Sequence, residues 1–88
     1  MNSFVDVPQR WWWLSFADPE LPDGSQFLGV AIVRGCELVT ATLMAHMHGC
    51  NPGGQVLGQP IPDHLPEPPP GMTNRLLTRE EAESIYGP

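Results

Sequence analysis

The sequence predicts an α+β fold, a small three-stranded sheet of order two-one-three with one packed helix, followed by a proline-rich arm and a short C-terminal helix. Three observations lead to it. All three tryptophans fall within Arg10 to Ala17, the hydrophobic period changes from two to that of a helix after Gly35, and six of the eleven prolines crowd between Pro60 and Gly71. The chain then divides into a core over residues 1–59, an arm over 60–74 and a terminal helix over 75–88.

Residues 1 to 9 read as an extended lead-in that Pro8 keeps from pairing far. Arg10 to Ala17, R-W-W-W-L-S-F-A, has the aromatic content and length of a strand. Successive side chains on a strand alternate, so Trp12, Leu14 and Phe16 share one face and Trp11, Trp13 and Ser15 the other. Both faces carry large apolar groups, so the second needs a cover: another layer, a second subunit or a ligand. D-P-E-L-P-D-G-S is turn chemistry. Gln26 to Arg34 is the second strand, its alternation setting Leu28, Val30 and Ile32 beside Trp12, and the small Gly29 and Ala31 under Trp11 and Trp13.

Cys36 to His48 carries an apolar helical stripe, with Leu38, Ala41 and Ala45 in one row and Val39, Leu43 and Met47 in the next. This helix is expected on the Trp12 face. Gly49 suits its left-handed C′ position and Pro52 prevents continuation. Gln55 to Gln59 reads as a third strand beside the first. Residues 60 to 71 are too rich in proline to supply ladder donors, so they are expected as polyproline II, crossing to a neighbouring subunit. Thr78 and Glu81 form a capping box for a helix over Arg79 to Tyr86, stopped by Gly87-Pro88, with Ala82, Ile85 and Tyr86 as its docking face.

Eighty-eight residues make one small domain with a core that association would strengthen. The net charge is −6, from ten acids against four arginines and no lysine. That balance argues against duplex nucleic acid, whose binding depends on neutralising phosphates. No basic-then-apolar leader opens the sequence and no apolar run approaches a membrane span, so neither secretion nor a membrane partner is expected. Cys36 and Cys50, about 21 Å apart along a helix, read as reduced thiols.

No constellation carries a recognisable reaction, so the chain reads as a binding protein rather than an enzyme, with no cofactor. His46, His48 and Cys50 form H-x-H-x-C, but on one helix they do not converge on a metal; histidines at a helix C-terminus are the plainer reading. Cys36 near a helix start has no orienting acid in recognisable order. The loop N-P-G-G offers Asn51, Gly53 and Gly54 as a backbone anion cradle, against the simpler reading of a turn. Arg10 and Arg34 fall near each other at one end of the hairpin, beside Trp11 and Trp13 as stacking surfaces. Together these seven residues suit a nucleotide-like anion; ion pairing of the arginines is the competing explanation.

The run W-W-x-L-S-F-A-D at Trp11 to Asp18, F-L-G-V at Phe27 to Val30 and N-P-G-G-x-V at Asn51 to Val56 resembles short uncharacterised proteins of actinobacterial phages and prophages. The resemblance covers residues 10 to 60 and supplies no catalytic residue. It implies the cytoplasm of a bacterial host. By analogy of context it implies an anti-defence protein, a homo-oligomeric sponge that sequesters a small nucleotide-like immune signal. The alternative is a phage-encoded inhibitor or accessory factor acting on a host protein.

Overall fold

The computed structural model describes residues 8 to 86; the first seven residues of the lead-in expected over 1 to 9, and the Gly87-Pro88 stop, lie outside them. The chain runs β1 (Arg10–Ala17), β2 (Phe27–Gly35), α1 (Leu38–Met47), β3 (Gln55–Pro60), β4 (Leu76–Leu77) and α2 (Arg79–Tyr86), with a 3-10 turn at Pro70–Met72. The result is a small α+β fold, an antiparallel sheet of order β3-β1-β2-β4. β1 lies between β2 and β3 as expected, but the sheet has four strands and not three. The fourth comes from Leu76 and Leu77, which pair with Ala31 and Val30. Two residues are too few to show a period.

The faces of β2 differ from simple alternation, and a bulge is the cause. Phe16 pairs with Gly29 while Ala17 pairs with Phe27, so Leu28 is an extra residue in β2. Beyond it the alternation flips. Leu28, Ala31 and Val33 join Trp12, Leu14 and Phe16, whereas Val30 and Ile32 lie with Trp11 and Trp13. The expected set of Leu28, Val30 and Ile32 is therefore split, and of the small residues Ala31 sits in the core under the helix while Gly29 lies against Leu76, neither under the tryptophans.

That exchange lets α1 lie close. Ala41 and Ala45 are its fully buried residues, and a Cβ on Gly35 would stand 2.8 Å from the Ala41 backbone. Thr40 Oγ1 accepts from the Cys36 and Glu37 amides at 3.0 Å each, which fixes the start of the helix. Its end is a Schellman motif: Cys50 N–H donates to Ala45 O, Gly49 N–H donates to His46 O, and Gly49 has φ +72°. The helix is shorter than expected at both ends, and its second apolar row, Val39, Leu43 and Met47, faces solvent.

The arm does not leave the body. From Pro60 it crosses the Trp11 and Trp13 face of its own sheet, and Ile61, Leu77 and Ala82 bury themselves against Val30 and Ile32. Each large apolar side chain so buried contributes about 1.5–3 kcal/mol. Leu65, Met72, Ile85 and Tyr86 complete this second core. The arm is partly polyproline II, as at Pro69 with φ −59° and ψ 141°, and partly turned, with Leu65 N–H donating to Pro62 O at 3.1 Å. The capping box closes as expected: Thr78 N–H donates to Glu81 Oε1 and Glu81 N–H to Thr78 Oγ1.

Candidate functional site

The cover over the tryptophan face is incomplete, and two grooves flank it where the arm turns at Ile61 to Leu65. One has a volume of about 340 Å³ and is walled by Trp13, Pro60, Ile61, Leu65 and Tyr86, with Gln59 its polar group. Trp13 and Tyr86 stand 6.0 Å apart between ring centroids at 46°, a tilted aromatic pair. Tyr86 is held from its other end, since its hydroxyl donates to Pro66 O at 3.0 Å, and burial pushes its pKa up.

The second groove, about 260 Å³, includes Arg10, Trp11 and Arg34, and shares Ile61, Pro62 and Leu65 with the first. β1 and β2 pair Trp11 directly with Arg34, and the Arg34 guanidinium lies over the Trp11 ring at 5.2 Å. A weak bond from Arg34 to Gln9 O at 3.5 Å leaves most of its donors open. Arg10 is 3.8 Å from Asp63, an exposed pair of little energetic weight. Asp63 and Glu67 line the same groove, so it holds both signs of charge.

Four of the expected site residues, Arg10, Trp11, Trp13 and Arg34, thus line adjoining grooves. Asn51, Gly53 and Gly54 do not join them. A Cβ on Gly54 would press on Ala17 O, at the far end of β1 from Trp11, about 20 Å away along the strand. The loop is also occupied with itself: Gly53 N–H donates to Asn51 Oδ1 at 2.9 Å, an Asx turn. Ile61 and Leu65 enter the site without a sequence signal, because only the fold-back of the arm brings them there, whereas Gln59 comes with β3, where it pairs with Trp13.

The two thiols, His46 and His48 line neither groove. Cys50 is buried and desolvation raises its pKa, while Cys36 Sγ lies 3.4 Å from Thr40 Oγ1. Among the described residues no group of three or more His, Cys, Asp or Glu is placed to hold a metal ion. No described helix is long and apolar enough to cross a membrane.

No known protein family, curated protein or solved structure matches the chain.

Proposed function

We propose that this chain binds and sequesters a small anionic, nucleotide-like ligand without chemical change, as a homo-oligomer, in the role of a phage anti-defence sponge in a bacterial cytoplasm. One observation carries the reading: the aromatic groove at Trp13 and Tyr86 shares a wall with the groove that holds Arg10 and Arg34. A planar base fits the first, whose volume is that of a small-ligand pocket. A phosphate reaching past Ile61 and Pro62 meets two guanidiniums, which bind such oxygens in a fork. Asp63 and Glu67 repel a highly charged ligand and favour one with few phosphates. The test is thermal shift with cyclic dinucleotides, adenine dinucleotides and ADP-ribose derivatives, followed by heat release and mass measurement of the ligand. A rise in melting temperature with intact release supports sequestration; a flat panel sinks it.

A second reading, an inhibitor or accessory factor that binds a host protein, is favoured by α1. Val39, Leu43 and Met47 are 73%, 55% and 70% exposed and form one stripe on a helix without Asp, Glu, Lys or Arg. A direct binding partner lost on Leu43→Lys, with no nucleotide response, is the result that selects it.

A further inference from the structure

The free edge of the sheet points to a second copy of this chain. Ile61 N–H donates to Trp11 O at 2.8 Å, just beyond the last pair of the β1–β3 ladder. Antiparallel strands alternate between pairs that exchange hydrogen bonds and pairs that do not. The backbone groups of Gln55, Leu57 and Gln59 therefore turn toward β1, and those of Val56, Gly58 and Pro60 turn outward. Proline has no N–H, so the outward donors are the amides of Val56 and Gly58. Among the described residues no strand lies beyond β3 to accept from them.

Edge strands are ordinarily kept apart by charge, brevity or a bulge. β4, at the opposite edge, is two residues long. β3 has six residues, Q-V-L-G-Q-P, no charged side chain, and Leu57 79% exposed on the Trp13 side of the sheet. In a chain of net charge −6, an uncharged seam is where two copies meet with least repulsion.

We propose that two copies pair antiparallel through β3 about a two-fold axis at Leu57, joining two four-stranded sheets into one. In this register Val56 N–H donates to the carbonyl of the partner subunit's Gly58, and Gly58 N–H to that of the partner subunit's Val56. Symmetry repeats both bonds, so every outward donor is satisfied. Leu57 lies against the partner subunit's Leu57, with Cα atoms about 4.5 Å apart, and Gln55 lies opposite the partner subunit's Gln59. Pro60 falls opposite the partner subunit's Gly54 and ends the ladder. A register centred on Gly58 makes as many hydrogen bonds but sets each leucine against a glutamine. The Leu57 register also brings the partner subunit's Gln55 beside Gln59, on the rim of the Trp13 groove, so the second copy adds to the candidate ligand site.

This names the surface for the homo-oligomer in the reading above, and its test uses no ligand, so the dimer and the ligand fail separately. Sedimentation of the wild-type protein at high micromolar concentration is expected to give a dimer. Leu57→Lys sets like charges face to face and is expected to weaken it by at least about tenfold. Position 57 is exposed, so the folded monomer tolerates the change. Leu57→Cys in a Cys36→Ser background is expected to oxidise to a linked dimer, since about 4.5 Å between Cα atoms suits a disulfide. A wild-type monomer, or a dimer that Leu57→Lys leaves intact, overturns the proposal. Cross-linking only between mixed Leu57→Cys and Gln59→Cys chains overturns the register.

Discussion

Gly29 stands opposite Phe16 with φ +142°, and a Cβ there would come 2.7 Å from Leu76 Cδ1 and 2.9 Å from Leu77 O. The bulge next to it decides which aliphatic side chains of β2 face α1 and which face the arm. Its backbone is open only to a residue without a side chain, both in conformation and in space.

Gly29→Val is therefore expected to destabilise the protein by about 1–3 kcal/mol, read by urea unfolding. Gly24 provides the comparison. It has φ +87° but nothing within 4 Å of where a Cβ would sit, so Gly24→Ala isolates the conformational share, about 1–2 kcal/mol. Equal losses at Gly24→Ala and Gly29→Ala would mean that the contact with β4 has no weight.

Acid should loosen α2. Arg75 donates to both carboxylate oxygens of Glu81, at 2.6 and 3.3 Å, and the Thr78 amide adds a third bond. They hold the Glu81 pKa at about 2, below its ordinary 4.5. A depressed carboxylate contributes stability above its unfolded pKa, and loses it as pH falls from about 4.5 through 2. Wild type should lose stability across that window more steeply than Glu81→Gln, with a constant offset between them above it. The pair is solvent-exposed, so added salt should shrink the difference. Parallel acid limbs for the two proteins would rule out the linkage.

Ending the chain after Gln59 removes the cover from Trp11, Trp13, Val30 and Ile32. The shortened protein is expected to bind a hydrophobic dye and to show tryptophan emission shifted to the red, together with loss of cooperative unfolding. A shortened chain that melts like the whole one would show that the second core contributes nothing to the first.

The separation of the two candidate anion sites makes substitutions distinguishable. Arg34→Glu and Trp13→Ala should each abolish a nucleotide-induced thermal shift, whereas Asn51→Ala, which loses only the bond to Gly53, should keep it. Retention with Arg34→Glu and loss with Asn51→Ala would move the ligand to the other end of β1.

The strand Arg10–Ala17, the Gly49 C-cap and the Thr78 capping box were legible in the sequence because each is a local pattern whose physics acts over a few residues. The position of β1 between β2 and β3 followed from setting the strand after the helix beside the first one. What escaped was non-local. A bulge beside Gly29 depends on β4 coming from nearly fifty residues later in the numbering, as Val30 and Leu77 pair. The fold-back of the arm rests on Ile61 and Leu65, lone apolar residues among prolines with no period to announce them. For the site, the hairpin set Arg34 at the same end as Arg10, as expected, but simple alternation put it on the Trp12 face and only the bulge turned it to Trp11, while the N-P-G-G loop went to the opposite end because β3 runs antiparallel to β1.

The covering of one sheet face by the arm also sets an order of events during synthesis. A ribosome delivers β1, β2, α1 and β3 before it delivers Leu77 and Ala82, so the helix side of the sheet can close while the other side is still bare. Through that interval Trp11 and Trp13 flank an apolar strip that sticks to any neighbouring nascent chain. Until the arm has folded back, the strand it covers therefore has one apolar face without its cover.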